Sequence, residues 1–166
     1  GVLSLEDGLR LVIERGRLMA TAQGSMVSVL ASETTVRPFI TADDVTIGVI
    51  NGPESVVISG GAANVAAVTQ QLQAAGYKTR KLDIPVAAHS PLLDPVLDAF
   101  EAAVRQVTLT PPQLPVVSSM TGHRVTTELT DPDYWRQHLR TPGRFADGVA
   151  TLAAELEKAG YIDQRL

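Results

Sequence analysis

The stretch between residues 26 and 84 alternates strand-like and helix-like patterns in an order that few folds accept. Runs typical of strands lie at 26–30, 45–50, 55–59 and 77–84. A short polar stretch separates the first two runs, and Asn-Gly-Pro-Glu at 51–54 predicts a turn between the second and third. An Ala-rich segment between Gly61 and Gly76 has the spacing of a helix with one apolar face. The order β-α-β-β-α-β predicts a ferredoxin-like subdomain.

A helical pattern precedes this stretch. Ser4 is a helix cap and Asp7, three residues later, completes a capping box, so we expect a helix to about Ala20. Helical spacing puts its apolar stripe at Leu5, Leu9, Val12, Gly16 and Met19. Arg15 lies at the edge of that stripe, beside apolar surface rather than in a row of charges.

Later in the chain, either Ser90 or Asp94 can begin a helix with proline in its first turn. The prolines of segment 110–115 disfavour helix in the residues before them and predict an extended conformation. Further expected elements are a short buried strand at 116–117 and helices at 131–140 and 145–159. The chain as a whole is therefore predicted to be α/β.

Composition argues against several classes of partner. A net charge of −4, with 19% charged and 4% aromatic residues, offers neither a basic surface nor stacking platforms, so we expect no nucleic-acid partner. No apolar stretch approaches the roughly 20 residues that cross a bilayer, so we expect no membrane partner and a cytoplasmic protein. The chain has no cysteine, which excludes a disulfide framework and a Cys-based zinc site. Because it opens at Gly1 without methionine, we expect a piece of something longer.

Among three histidines, His89 has the most promising position, because it directly precedes a predicted helix start. A helix N-terminus disfavours imidazolium and so keeps a histidine neutral, which is the state that a general base requires. A polar residue that ends a loop is the alternative interpretation. His123 and His138 are expected at the surface, and the spacing of the three matches no short metal-ligand pattern. We therefore expect no metal site.

Two further residues have side chains suited to binding. Arg15 presents a planar, charged fork that can hold a carboxylate in two parallel hydrogen bonds, or it can extend to water as helix-edge arginines commonly do. Asn51 can present its amide to a site or can simply make the turn. Enzymes that pair a serine nucleophile with histidine usually place the serine in a Gly-x-Ser-x-Gly elbow, and none occurs in the 166 residues.

Five motifs stand in order along the chain. They are Gly-Val-Leu-Ser-Leu-Glu-Asp-Gly at 1–8, Glu-Arg-Gly-Arg-Leu-Met at 14–19, Asn-Gly-Pro-Glu-Ser-Val-Val-Ile-Ser-Gly at 51–60, Ala-His-Ser-Pro-Leu-Leu-Asp-Pro at 88–95, and Tyr-Trp at 134–135 with Arg-Phe-Ala-Asp-Gly at 144–148. Over roughly residues 1 to 152 the chain resembles the acyltransferase domains of modular type I polyketide synthases, which are related to malonyl-CoA:acyl-carrier-protein transacylases. The resemblance implies an α/β-hydrolase-like large subdomain, represented by residues 1–24 and 87–166, into which a ferredoxin-like small subdomain at 25–86 is inserted.

The resemblance also implies a reaction and roles for residues. Domains of this family load a malonyl- or methylmalonyl-type extender unit from coenzyme A onto the phosphopantetheine thiol of an acyl carrier protein, and they bind no further cofactor. His89 would be the base that activates a serine, and Arg15 would hold the substrate carboxylate. Further substrate-binding positions are implied at Met19, Asn51, Val86, Ala87 and Ala88. The motif Val-Ala-Ala-His at 86–89 matches neither the His-Ala-Phe-His form associated with malonyl nor the Tyr-Ala-Ser-His form associated with methylmalonyl, so the extender stays open.

Two departures from the family pattern matter. The family's Gly-His-Ser-x-Gly elbow, with its oxyanion donors nearby, is expected upstream of Gly1, and no family motif is expected after residue 152. We therefore expect this chain alone to be inactive and to depend on the remainder of the acyltransferase and ketosynthase polypeptide. A non-catalytic scaffold derived from an acyltransferase, or a module that docks carrier protein, is the alternative.

Overall fold

A computed structural model describes residues 1–161, and the chain folds as an α/β protein. The helices are α1 (Leu5–Met19), α2 (Glu33–Val36), α3 (Ala62–Ala74), α4 (Leu97–Val104), α5 (Pro132–Arg140) and α6 (Phe145–Lys158). The strands are β1 (Ser25–Val29), β2 (Val45–Gly52), β3 (Ser55–Gly60), β4 (Thr79–Lys81), β5 (Val116–Val117) and β6 (Arg124–Val125). Short 3-10 turns lie at Arg37–Phe39, Pro91–Val96 and Glu128–Thr130.

The first four strands form one antiparallel sheet in the order β2-β3-β1-β4. Because β1, α2, β2, β3, α3 and β4 follow one another along the chain, the predicted ferredoxin-like subdomain is confirmed. Its first helix, α2, has only four residues, which is why the polar sequence between β1 and β2 shows no helical periodicity. β4 has three residues and is shorter than the predicted segment 77–84.

This sheet subdomain has a core of its own. The apolar face of α3 packs on the sheet through Val65, Val68 and Leu72, each at most 3% exposed. The facing side chains of β1, β2 and β3 include Val27, Val29, Ile47, Val56 and Ile58. Each such side chain contributes about 1.5–3 kcal/mol when it is removed from water. The apolar faces that the strand and helix patterns predict therefore pack against each other in one buried layer.

A second core, the helical region, forms where α1, α4 and α5 meet. Its buried residues include Leu11, Leu18, Leu93, Leu97, Phe100, Val104 and Leu139. Most of the apolar stripe of α1 lies outside this core, because Leu5, Leu9 and Val12 are 82%, 56% and 68% exposed. Leu11 and Leu18, on a different face, are each only 5% exposed. Periodicity identifies an apolar face of a helix but does not say which neighbour covers it.

Backbone hydrogen bonds pair the two segments that connect the cores, at 22–24 and 85–87, and also link the helical region to β2. The Gly24 N–H donates to the Pro85 carbonyl at 3.0 Å, and the Ala87 N–H donates to the Ala22 carbonyl at 2.9 Å. The connection between α5 and α6 lies along the edge strand β2, where the Gly143 N–H donates to the Gly48 carbonyl at 2.8 Å. The subdomain boundaries at 24/25 and 86/87 stay a prediction, and residues 162–166 of the predicted segment 87–166 lie outside the described residues.

Ser90, rather than Asp94, caps the turn that follows His89. Its Oγ accepts a hydrogen bond from the Leu92 N–H at 3.3 Å, and a 3-10 turn precedes α4. The predicted helices at 131–140 and 145–159 are confirmed as α5 and α6, and β5 pairs with β6 but is only half-buried. None of the described helices combines the length and the apolarity needed to cross a membrane.

Candidate active site

His89 lies at a strained point of the backbone between the two cores. Its φ is 58°, in the left-handed region that residues other than glycine rarely adopt. Such residues cost about 1–3 kcal/mol each and cluster at functional sites. The conformation is fixed just before His89, because the buried Ser90 Oγ donates to the Ala87 carbonyl at 2.7 Å while the Ala87 N–H bonds to Ala22.

Gly48 of β2 brings the sheet subdomain against His89. A Cβ atom at position 48 would lie 3.1 Å from the Ser59 Cβ and 3.2 Å from the Ala88 carbonyl oxygen. The same atom would be 3.7 Å from the Cβ of His89. The register between β2 and β3 shifts at Gly48, an irregularity of the kind that is over-represented next to active sites. Glycine at position 48 therefore allows the backbone of β2 to approach Ala88 and His89 closely.

His89 is neutral at neutral pH. Burial lowers its pKa to about 4, and the positive charges of His138 and Arg15 act in the same direction. The backbone of Thr141 and of His138 lies close enough to act in the opposite direction, although Nδ1 makes no hydrogen bond of acceptable geometry within the described part of the chain. The predicted neutral state is thus supported, but its cause is burial and two nearby cations rather than a helix N-terminus.

Arg15 is a half-buried cation without an anion. Unlike Arg10 and Arg17 of the same helix, which pair with glutamates, Arg15 makes no hydrogen bond or ion pair with any described residue. Burial lowers the pKa of its guanidinium. Desolvating a charge that has no partner is costly, so the five unpaired N–H donors of Arg15 are suited to an anionic ligand.

His138 is not the surface residue that the sequence suggests, and that expectation is wrong. Its side chain is half-buried, and its ring centroid lies 6.4 Å from that of His89, with the ring planes at 80°. Burial and then the charge of Arg15 lower the pKa of His138. Arg15, His89 and His138 therefore form one cluster, whereas His123 is exposed as predicted.

A cavity of about 360 Å³ lies beside this cluster. Its wall is mostly apolar and comes from α1, α4 and α5, including Leu5, Leu9, Val12, Phe100 and Trp135. Arg15 and His138 also line it, and they supply the only titratable side chains among its described lining residues. An apolar cavity with a few convergent polar groups is the usual form of a small-molecule site.

Comparison with known proteins agrees with this arrangement. The family model described as an acyl transferase domain matches residues 1–163. The chain belongs to this family. The acyltransferase match runs past residue 152, where we expected the resemblance to end, so that expectation is wrong and the last turn of α6 is family sequence.

The most similar proteins in these comparisons are polyketide synthases. The chain is 45% identical over 151 residues to mycoketide-CoA synthase of Mycobacterium tuberculosis, a match that covers 90% of this chain and 4% of that protein. It is 48% identical, with a TM-score of 0.87, to the acyltransferase domain from the second module of the salinomycin polyketide synthase, covering 93% of this chain and 37% of that one. The acyltransferase domain of SpnD in complex with 2-(pent-4-yn-1-yl)malonyl is 36% identical with a TM-score of 0.89, covering 93% and 38%. The resemblance to polyketide-synthase acyltransferase domains is confirmed, and the chain spans about two fifths of these solved domains.

Residues 86–88 of the acyltransferase chain lead directly into His89 but differ in accessibility. Ala87 is fully buried, and its Cβ lies 2.7 Å from where a Cβ at Gly24 would be. Val86 and Ala88 are half-buried. Met19, at the end of α1, is half-buried against the helical core. Of this motif, only Val86 and Ala88 have surface left for a substrate.

Asn51 is not brought to the cluster. It is exposed near the end of β2, at the hairpin to β3, and no hydrogen bond joins it to Arg15, His89 or His138. Its role in substrate binding stays a prediction. Among the residues that the structure describes, no group of three or more histidine, aspartate or glutamate side chains is placed to hold a metal ion.

Sequence reasoning missed His138, and it also missed Ser59, which is fully buried on β3 with an Oγ that has no described partner. A signal for His138 was available. It stands four residues after Tyr134 on a short helix, so both rings lie on one face of α5. No comparable signal marks Ser59, because alternation along a strand does not distinguish a buried serine from a buried alanine.

Proposed function

We propose that this chain forms the part of a polyketide-synthase acyltransferase that holds the acyl substrate and supplies the general base. The reaction is transfer of a malonyl- or methylmalonyl-type group from coenzyme A to the phosphopantetheine thiol of an acyl carrier protein. The single observation that carries the proposal is the unpaired, half-buried Arg15 beside the neutral His89. Arg15 has no anionic partner among the described residues, and His89 has a left-handed backbone conformation of the kind that clusters at functional sites.

Arg15 would bind the carboxylate of the carboxyacyl group. A carboxylate that enters the cluster meets a guanidinium whose fork can make two parallel hydrogen bonds to it. An acyl group that lacks the carboxylate leaves the guanidinium half-buried and unpaired, which is unfavourable. Selection for carboxylated substrates thus follows from the same desolvation that lowers the pKa of Arg15.

His89 would act on a serine supplied from outside these residues. The neutral imidazole takes the serine proton as the serine oxygen attacks the thioester carbonyl, and it returns that proton to the departing coenzyme A thiolate. In the second half-reaction it takes the proton of the phosphopantetheine thiol, whose sulfur attacks the acyl-serine, and it returns the proton to the serine oxygen. The low pKa of His89 keeps the base form available throughout the neutral range.

The chain alone is proposed to be inert, because its 166 residues contain no Gly-x-Ser-x-Gly elbow. Incubation with malonyl-CoA or methylmalonyl-CoA, followed by intact-mass measurement, should show no covalent adduct. A stable acyl adduct on a serine of this chain would show that the nucleophile is here after all. Titration with a carrier protein addresses the alternative function: tight binding by a chain whose parent polypeptide has no serine elbow would favour a docking module.

Reconstitution tests the roles directly. In an acyltransferase domain that joins this chain to a segment containing the serine elbow, His89→Ala should abolish transfer. Arg15→Ala should lower kcat/KM with malonyl-CoA roughly 100-fold and raise the relative use of acetyl-CoA, because it removes a charged partner of the substrate. His123→Ala and Arg17→Ala are matched controls, since both residues are exposed and lie outside the cluster. Unchanged kinetics in the first two variants would refute the assigned roles.

A further inference from the structure

The side chain of His138 is held in place by two neighbouring side chains, and the proposed reaction uses neither contact. Its ring stacks on Tyr134, one helical turn earlier, with centroids 6.1 Å apart and planes at 27°. The Tyr134 hydroxyl is itself bonded to the buried Ser118 Oγ at 2.6 Å. The Ser119 Oγ lies 3.0 Å from His138 Nε2. Tyr134 therefore fixes the face of the His138 ring, and Ser119 fixes its edge.

The ring held in this way contacts the proposed base. His138 and His89 meet edge to face, an arrangement that aromatic rings prefer. His89 lacks a hydrogen bond at Nδ1 within the described residues. Which nitrogen of a catalytic histidine carries the proton is normally set by the hydrogen bond of the other nitrogen. The backbone of Thr141 and of His138 also lies near the His89 ring. The plane of that ring is further set by the side chain that packs on it, and His138 supplies this side chain.

The charges around the two rings suit this contact. The permanent cation near both rings is Arg15 from α1, which lowers the pKa of His89 and of His138, and a protonated His138 from α5 would lower the pKa of His89 further. Because burial lowers the pKa of both histidines, both rings are neutral at neutral pH. A neutral His138 does not repel the imidazolium that His89 becomes when it takes a proton.

We propose that the side chain of His138 is a positioning residue for His89, fixing the plane of the base by edge-to-face contact while Ser119 and Tyr134 hold His138 itself. The inference rests on the proposed role of His89 as the general base. It concerns the imidazole of His138 and not its backbone. Its failure is distinguishable from failure of the proposed function, because the orientation of a ring can be measured without turnover.

Nitrogen-15 NMR of this chain provides that measurement, since only His89, His123 and His138 contribute imidazole signals. In the unaltered chain, His89 should show one neutral tautomer and a pKa of about 4. His138→Ala should give exchange-broadened or mixed tautomer signals for His89, because the packing surface is gone. His138→Phe keeps a flat ring and should preserve the single tautomer.

His123→Ala removes an exposed histidine and should leave the His89 signals unchanged. If His138→Ala fails to fold, Ser119→Ala loosens the same ring by removing one hydroxyl and should shift the His89 signals in the same direction. Unchanged nitrogen shifts of His89 in the Ser119→Ala variant, and in the His138→Ala variant where it folds, would overturn the proposal.

Activity gives a second readout in a domain that includes the serine elbow. His138→Ala should lower kcat roughly 10- to 100-fold, because misplacing a base by about 1 Å has effects of that size. KM for malonyl-CoA should stay within about threefold, because substrate binding is not altered. His138→Phe should retain most of kcat. A domain that transfers no acyl group before mutation would refute the proposed function and leave the NMR result on His89 standing.

Discussion

The sheet subdomain and the helical region differ in how completely the apolar faces of their helices are buried. Leu72 of α3 is completely buried against the sheet, whereas Leu9 of α1 is 56% exposed, although both belong to helices of three or more turns. On α6, Val149, Leu152 and Leu156 are also between 43% and 48% exposed. The sheet subdomain therefore closes its core with its own residues, while the helical region uses only part of its apolar surface. The proposed active site lies where the sheet subdomain meets the helical region.

Matched leucine truncations should give the largest difference between the regions. Leu72→Ala should lower the free energy of unfolding by about 2–5 kcal/mol, because it leaves a cavity in a closed core. Leu9→Ala should change it by less than about 0.5 kcal/mol, because the side chain is already in water. Urea unfolding followed by far-UV circular dichroism measures both values. Equal losses of unfolding free energy would mean that this face of α1 is covered in solution and that the two regions do not differ in the burial of their helices.

Acidification should weaken the junction between the regions. The unfolded chain protonates His89 as the pH falls below 6.5, whereas the native state does so only near its lowered pKa of about 4. The free energy of unfolding should therefore fall between pH 6.5 and pH 4, by up to about 3 kcal/mol from this group, with no further loss below. His138, whose pKa is also lowered, acts in the same direction.

Unfolding in urea above pH 6.5 and near pH 4 measures this loss. His89→Gln should remove most of it, and His123→Gln, at an exposed position, should leave it intact. If the His89→Gln variant still loses the same unfolding free energy between pH 6.5 and pH 4, groups other than His89 cause the loss.

Gly48→Ala should separate the two regions locally. The added methyl would meet Ser59 and the Ala88 carbonyl at 3.1 and 3.2 Å, so the sheet must move away from His89. We expect a loss of about 1–3 kcal/mol, the usual cost of overpacking. Gly52→Ala is the control on the same strand, because its nearest neighbour would be at an ordinary 3.7 Å. A neutral Gly48→Ala variant would show that the contact between β2 and His89 is loose.

Two buried serines should give the smallest effects and opposite signs. Ser90 has two hydrogen bonds and Ser59 has none among the described residues, although both are fully buried. Ser90→Ala should lower the free energy of unfolding by about 1–2 kcal/mol, while Ser59→Ala should change it by less than about 0.5 kcal/mol or raise it slightly. A clear loss in Ser59→Ala would reveal a partner, such as a bound water, for its hydroxyl.

The predictions that succeeded depend on local rules. The cap at Ser4, the cap at Asp131 and the order of strands and helices along the sheet subdomain follow from residue types at fixed short spacings. The motif around His89 also identified the family correctly. The surface position expected for His138 was wrong, and the apolar stripe of α1 did not indicate which face of that helix is buried. Both properties depend on which elements pack together, and spacing along one helix does not contain that information.

The sequence by itself determined the α/β class, the ferredoxin-like subdomain, the family and the identity of His89 and Arg15 as candidates, because periodicity, capping and motif residues act within a few positions of the chain. Only the tertiary structure decided that Arg15 has no anionic partner within residues 1–161, that His138 lies against His89, and that burial rather than a helix end lowers the pKa of His89. Burial and charge depend on distances between residues far apart in the chain. Arg15 and His138 are separated by more than a hundred positions, and they line the same cavity.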